Sequence, residues 1–165
     1  MLSLGIDPGT ATVGYGLVRE LSDGALQAVA YDVITTPAHT PLWERLETIY
    51  TSLAAVIRQF QPDRAGVEIL FFGKNVTTGI NVAHARGVIL LALHQAGLPI
   101  TEYKPAEIKQ SLTGYGNADK KQMQEMTRLM LNLDKIPRPD DAADALAVAI
   151  TDIHSARFNA IGGWQ

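Results

Sequence analysis

The segment Leu4–Thr10, with the sequence LGIDPGT, limits the possible folds more than any other part of the chain. Its first residues predict the end of a buried strand, and Asp7 follows directly. Pro8 fixes φ and Gly9 tolerates positive φ, so the chain can reverse direction within two residues. The sequence therefore predicts a carboxylate held by rigid backbone at a strand end, where a metal ion or a phosphate group can reach it.

The residues after this turn predict an antiparallel partner strand over 12–20, because apolar side chains recur there at every second position. Gly14 and Gly16 share the other face of that strand. They leave it without side-chain bulk, so we expect a second backbone or a ligand to approach closely. The Asp23-Gly24 pair predicts a hairpin turn into a third strand. The first three strands are therefore expected to form an antiparallel meander.

Helical periodicity and proline and glycine positions divide the rest of the chain into helices and strands. Thr40 and Pro41 predict the start of a long helix, with Thr40 as its N-cap. Asn117 is expected to cap a later helix. The order β-β-β-α-β-α-β-α-α-α predicts an α/β fold, in which a five-stranded mixed sheet combines the meander with parallel strands and is flanked by helices. Residues 1–156 are predicted to form one domain and residues 157–165 a loosely ordered C-terminal tail.

Three further carboxylates lie in positions that favour a site. Glu68 stands between Val67 and Ile69 in the fourth predicted strand, where an ionised side chain is costly unless it is paired or bound to metal. Asp141 and Asp144 are three residues apart, so they project from one face of the last predicted helix. Structural roles are the alternative: a salt bridge at a strand edge for Glu68, and complementation of the helix dipole for the aspartates.

The predicted topology can bring these acids together with Asp7, because the first and fourth strands can be neighbours and the last helix can cross their ends. A cluster of Asp and Glu without His or Cys selects oxygen-loving cations, namely Mg²⁺ or Mn²⁺. Two such ions about 3.5–4 Å apart stabilise the attacking and leaving oxygens of a phosphoryl displacement. The residues therefore predict metal-dependent phosphoryl chemistry.

Positive charge is concentrated in one stretch, although the net charge of the chain is −3. Residues 69–121 hold six cations and three anions, and anions outnumber cations on both sides of this stretch. Such a distribution suits contact with phosphates, with ordinary solvated charge as the alternative. The loop after the fourth strand adds two aromatic residues that can stack on a base. The candidate DNA contacts from these arguments are Phe71, Phe72, Lys74, Asn75, Arg86, Lys120 and Lys121.

Composition excludes several other classes of protein. The chain of 165 residues is 47% hydrophobic and 19% charged, which favours a folded globular domain over disorder. It has no cysteine, so disulfides and thiolate metal sites are excluded and a cytoplasmic location is expected. No apolar run approaches the ~20 residues of a membrane span, and no signal peptide is expected.

Several motifs together carry a specific resemblance: GIDPGTATVGYG (5–16), QFQPD (59–63), VEILFFGKN (67–75), ARGV (85–88), IKQSLTGYGNADKKQM (108–123) and DAADALAVAIT (141–151). Over nearly its whole length the chain resembles the bacterial RuvC-type Holliday-junction resolvases. The resemblance implies an RNase H-like fold, a homodimer, Mg²⁺ with two ions per active site and Mn²⁺ as the alternative. It also implies an endonuclease that nicks four-way DNA junctions symmetrically in recombination and repair, alongside branch-migration partners of the RuvA and RuvB type.

The resemblance also assigns roles to individual residues. It implies that Asp7, Glu68, Asp141 and Asp144 are the catalytic, metal-binding acids. Phe71 matches the residue of the family that stacks at the junction, and Phe72 is its neighbour. The functionally important lysines of the family match Lys109 and Lys120. No ligand role is carried over to Asp140, an additional acid beside the motif.

Three other functions fit part of the pattern. The opening turn is shared with actin-like ATPases and sugar kinases, but those enzymes close two such domains over ATP. A different RNase H-like nuclease, acting on RNA–DNA hybrids or on ribosomal RNA precursors, would use similar acids. A junction-binding protein without catalysis is the third alternative, which the four intact acids disfavour.

Overall fold

The computed structural model describes residues 1–69, 76–160 and 162 of the chain. The described elements occur in the predicted order. They are β1 (Leu2–Asp7), β2 (Thr12–Glu20), β3 (Leu26–Thr35), α1 (Leu42–Phe60), β4 (Arg64–Glu68), α2 (Val76–Gln95), β5 (Ile100–Tyr103), α3 (Pro105–Thr113), α4 (Lys120–Met130) and α5 (Asp140–Ala160).

The five strands form one mixed sheet in the order β3-β2-β1-β4-β5. The pairs β1–β2 and β2–β3 are antiparallel, and the pairs β1–β4 and β4–β5 are parallel. The meander and the mixed sheet are therefore confirmed, and β1 and β4 are neighbours. Because these two strands are parallel, Asp7 and Glu68 stand at the same edge of the sheet.

Helices cover both faces of the sheet. On one face, α1 and α2 contribute Ile49, Leu53, Ile89 and Leu93 to a core with the side chains of β1 and β2. On the other face, a second core contains residues of α3, α4 and α5. The described helices include none with the length and hydropathy that a membrane-spanning helix requires.

Three glycines allow α5 to lie directly on the sheet. A Cβ atom at Gly14 would stand 2.0 Å from the carbonyl oxygen of Asp141, and one at Gly5 would stand 2.1 Å from the carbonyl oxygen of Ala145. Gly16 meets the backbone of the same helix. Any side chain at these positions would push the helix away. The approach predicted for the bare face of β2 is thus made by the backbone of α5.

A buried carboxylate fastens the same helix to three strands. Asp152 on α5 is fully buried and accepts hydrogen bonds from Ser3 on β1 (2.7 Å), Arg64 on β4 (2.6 and 2.9 Å) and Tyr103 on β5 (2.9 Å). Because every oxygen of the carboxylate has a donor, the charge is tolerated in the core. The register of α5 on the sheet is therefore fixed by polar contacts as well as by packing.

Two predicted helix caps are wrong. Helix α1 begins at Leu42, and the Thr40 hydroxyl donates to the carbonyl oxygen of Pro37 instead of capping the helix. Helix α4 is capped by Asp119 rather than Asn117. Asp119 accepts a hydrogen bond from the backbone N–H of Gln122 (2.9 Å), whose side chain accepts one from the Asp119 backbone N–H (2.9 Å). This reciprocal capping box satisfies two backbone donors at once, which explains the later start.

Helix α5 continues further than the sequence predicted. It ends at Ala160, so residues 157–160, which the prediction placed in the C-terminal tail, are helical. Arg157 explains the extension, because its guanidinium donates to Glu20 (2.6 Å) and to the carbonyl oxygen of Gly24 (2.7 Å) on the β2–β3 hairpin. The last turns are thereby held against the meander.

Candidate active site

Asp7 is the last residue of β1 and is paired with Gly14 across the sheet. Burial raises the pKa of its carboxyl group to about 8, and the charges of Glu68, Asp144 and Asp141 contribute to the rise. The backbone explains these contributions: Ile6 is paired with Val67, next to Glu68, and Gly14, the partner of Asp7, lies against the backbone of Asp141. The structure therefore brings together acids from the first strand, the fourth strand and the last helix.

Glu68 ends β4 and lies beside a pocket of about 220 Å³. Burial raises the pKa of Glu68 to about 7, with a further contribution from the charge of Asp144, whereas Lys109 acts in the opposite direction. The pocket is formed by residues of β4, α3, α4 and α5: Glu68, Pro105, Ile108, Lys109, Lys120, Met123, Asp144 and Ala147. It thus joins two acids with two lysines.

Asp141 and Asp144 occupy the first turns of α5, which the glycine contacts hold against β1 and β2. Burial raises the pKa of Asp144, and Asp141 adds to the rise, whereas Lys120 lowers it. The Lys120 ammonium lies 3.7 Å from Asp144 Oδ2 and 3.0 Å from Asp140 Oδ2. Lys120 therefore pairs both with Asp144, which lines the pocket, and with Asp140, the additional acid beside the motif.

The acids fit a divalent metal ion in their chemistry. All the donors are carboxylate oxygens, which hard cations prefer. The pKa values of Asp7, Glu68 and Asp144 are raised, so a cation bound beside them would stabilise their ionised forms. Within residues 1–69, 76–160 and 162, however, no three acidic or histidine side chains already form a metal shell. Asp144 is engaged with Lys120, so a complete shell requires side-chain rearrangement.

The predicted DNA contacts have different surroundings. Lys109 and Lys120 line the acidic pocket. Lys121 is exposed on the first turn of α4. Arg86 forms an ion pair with Glu102 of β5. The remaining candidates lie outside the described residues: Phe71, Phe72, Lys74 and Asn75.

Asp140 is a residue whose surroundings the sequence did not reveal. It begins α5 and binds Lys120, Gln124 and Arg138 through its carboxylate. The only signal in the sequence was an extra acid next to Asp141, because the partners come from another helix and from the preceding loop.

A sheet of this order, with acids at the ends of β1 and β4 and on the last helix, defines an RNase H-like fold with an acidic centre suited to phosphoryl chemistry. The family described as "Crossover junction endodeoxyribonuclease RuvC" matches residues 3–152. A protein of that name from Chloroflexus aggregans is 58% identical over 156 residues, which are 94% of each chain. The chain therefore belongs to the RuvC family of crossover junction endodeoxyribonucleases.

Solved structures agree with this assignment. Thermus thermophilus RuvC superposes with a TM-score of 0.90 at 35% identity, over 96% of this chain and 97% of that one. T. thermophilus RuvC in complex with Holliday junction substrate gives a TM-score of 0.87 at 32% identity, over 96% of both chains. The resemblance, the RNase H-like fold and the endonuclease class predicted from the sequence are confirmed.

Proposed function

We propose that the protein is a metal-dependent, structure-specific endonuclease that resolves four-way DNA junctions by symmetric paired nicking in recombination and repair. The observation that carries this proposal is the meeting of Asp7, Glu68 and the α5 acids beside Lys109 and Lys120. The T. thermophilus relative whose structure contains Holliday junction substrate supports a four-way junction as the substrate of this chain.

The four acids Asp7, Glu68, Asp141 and Asp144 would hold two divalent ions, Mg²⁺ or alternatively Mn²⁺. When bound, such a pair activates a water molecule and neutralises the leaving oxygen of the phosphodiester. Asp7 would be the central ligand of this set, because it lies at the end of the central strand and the charges of the other three acids act on it. Lys109 and Lys120 at the pocket would hold the phosphate of the strand to be cut.

Further DNA contacts are proposed from the sequence. Phe71 follows Glu68 by three residues and would stack on a base at the junction, with Phe72 next to it. Lys74, Asn75, Arg86 and Lys121 would add contacts to the DNA backbone.

An apolar face on α2 supports a homodimer. Ile80 and Leu91 are each 50% exposed, and they border a groove of about 460 Å³ between α1 and α2. A second copy of the chain would cover this face, and a two-fold dimer would present two identical sites to a junction of near two-fold symmetry. Paired cuts then follow from geometry.

We also propose a cytoplasmic location and cooperation with branch-migration proteins of the RuvA and RuvB type.

The substrate class is tested with three labelled DNAs in Mg²⁺: a four-way junction, a linear duplex and an RNA–DNA hybrid. We expect paired nicks in the junction, and cleavage of the hybrid alone would refute the proposal. Asp7→Asn should abolish cutting and retain junction binding. Asp23→Asn is the matched control: Asp23 is an exposed turn residue that accepts a hydrogen bond from the backbone N–H of Ala25 (2.9 Å), and this variant should cut junctions normally.

The dimer is tested with Leu91→Glu, which places a charge on the proposed interface. Light scattering should then report a monomer, and the two nicks in a junction should become independent. Leu129→Glu on α4 is the control, because Leu129 is similarly exposed (54%) but lies on another face. A dimer that survives Leu91→Glu would show that the α2 face is not the interface.

A further inference from the structure

Asp140 is surrounded by donors that stabilise its ionised form. Lys120 Nζ lies 3.0 Å from Oδ2, Gln124 Nε2 lies 3.1 Å from Oδ1, and the Arg138 guanidinium contacts the same Oδ1. The hydrogen bond from Lys120 lowers the pKa of Asp140, the opposite of the shifts in Asp7, Glu68 and Asp144. These contacts therefore give the Asp140 carboxylate three donors from outside the proposed set of metal ligands.

The Lys120 ammonium is shared between two carboxylates with different surroundings. Asp140 lies on the outer side at 3.0 Å, and Asp144, a pocket residue, lies at 3.7 Å. Lys120 is the first residue of α4, and the Asp119–Gln122 capping box fixes where that helix begins. The lysine is thus anchored at its backbone and held at its tip by a residue that is not one of the proposed metal ligands.

We propose that Asp140 is a positioning residue, which takes the closer contact with the Lys120 ammonium at the rim of the acidic pocket and so limits the pairing of that ammonium with Asp144. This inference rests on the proposed metal-dependent function. An ammonium and a divalent cation compete for the same carboxylate, because each is attracted by its charge. By taking the closer contact with Lys120, Asp140 weakens the competition of the ammonium for Asp144, so the metal can displace the lysine from that carboxylate more easily.

Gln124 contributes to the same arrangement. Its side chain is 8% exposed, lies one turn after Lys120 on α4 and donates to Asp140. Because this amide bridges α4 and α5, the distance between the lysine and the α5 acids is fixed from both helices. Asp140 is therefore placed to set the position of Lys120 rather than merely to neutralise it.

The test measures Mn²⁺ binding to the full-length protein without DNA, by electron paramagnetic resonance, so that the readout does not depend on cleavage. Asp140→Asn keeps the shape of the side chain but removes its charge. We expect it to weaken Mn²⁺ binding about three- to fivefold, the range of a partly exposed ion pair. Asp140→Glu should restore most of the affinity. Glu125→Gln is the control, because Glu125 on α4 pairs with Arg128 and should leave binding unchanged.

The decisive comparison repeats Asp140→Asn in a Lys120→Met background. The proposal requires that the effect disappear there, because no ammonium remains to be positioned. An equal loss of Mn²⁺ affinity in both backgrounds would make Asp140 a direct ligand and overturn the proposal. A lower melting temperature with unchanged Mn²⁺ affinity would make it a structural residue and overturn it equally. Absence of Mn²⁺ binding by the unaltered protein would instead refute the proposed metal-dependent function, and the inference with it.

Discussion

Replacing Gly14 with alanine is expected to damage the active site from a position that has no side chain of its own. The added Cβ would lie 2.0 Å from the carbonyl oxygen of Asp141 and 2.5 Å from its carbonyl carbon. The closest ordinary contacts between carbon and oxygen are about 3.3 Å, so the start of α5 or strand β2 must move by roughly 1.3 Å. Backbone, unlike a flexible side chain, cannot rotate out of the way.

This movement has two consequences of different size. Forcing a methyl group into a packed core costs about 1–3 kcal/mol of the free energy of unfolding. Gly14 is also the partner of Asp7 across β1 and β2, so the same displacement separates Asp7 from Asp141 and Asp144. A misplacement of about 1 Å can reduce a catalytic rate about 100-fold. We therefore expect a folded protein that has lost more of its nicking rate than of its stability.

The two effects are measured separately, by urea unfolding and by single-turnover nicking of a four-way junction in Mg²⁺. Gly116→Ala is the control, because its added Cβ would have its nearest neighbours at 3.7 and 3.9 Å, and both quantities should stay unchanged. If Gly14→Ala nicked junctions at the normal rate with normal stability, the close approach of α5 could not be what assembles the site.

Three further predictions follow from the same contacts. Asp152→Asn removes the counter-ion of Arg64, whose side chain is only 19% exposed, and should lower the free energy of unfolding in urea by about 3 kcal/mol; a loss below about 1 kcal/mol would contradict the proposed fastening of α5. The pKa of the Asp7 carboxyl group is about 8 in the native state, and its ordinary value is 3.8. Between these two pH values the native state holds a proton that the unfolded chain has released. The free energy of unfolding therefore falls as the pH rises from the lower value to the higher one. In EDTA, Asp7→Asn should therefore be more stable than the unaltered protein at pH 9 but not at pH 3.5, and equal stability at both would refute the reasoning. The last prediction concerns Lys109→Ala and Lys120→Ala, each combined with Asp7→Asn to prevent cutting. Each lysine variant should reduce the slope of log affinity for junction DNA against log salt concentration by about 1. An unchanged slope would exclude a phosphate contact by that lysine.

Local patterns in the sequence were sufficient for the element order and the mixed sheet. Strand and helix periodicity, Asp23-Gly24 and the prolines act over a few residues, so each can be identified without the rest of the fold. Gly14 and Gly16 predicted a close approach for the same reason, since an absent side chain is visible in the sequence. The candidate metal ligands could also be identified from local sequence, because Asp7 and Glu68 interrupt apolar runs and Asp141 and Asp144 share one helix face.

Contacts between distant residues could not be predicted in this way. No local pattern distinguishes Asp152, because its donors lie up to 149 positions away along the chain. The end of α5 depends on Arg157 meeting the β2–β3 hairpin, and the role of Asp140 depends on a lysine from α4. In each case the interaction exists only after the helices have packed on the sheet.

The central claim is that acids from two strands and the last helix form one centre for divalent metal. The most direct measurement is the anomalous diffraction of Mn²⁺ in crystals of the protein bound to a four-way junction. We expect manganese about 2.1 Å from carboxylate oxygens of Asp7, with Glu68, Asp141 and Asp144 completing the coordination beside a phosphate of the DNA. Manganese bound elsewhere, with Asp7 uncoordinated at an ordered junction, would contradict this account.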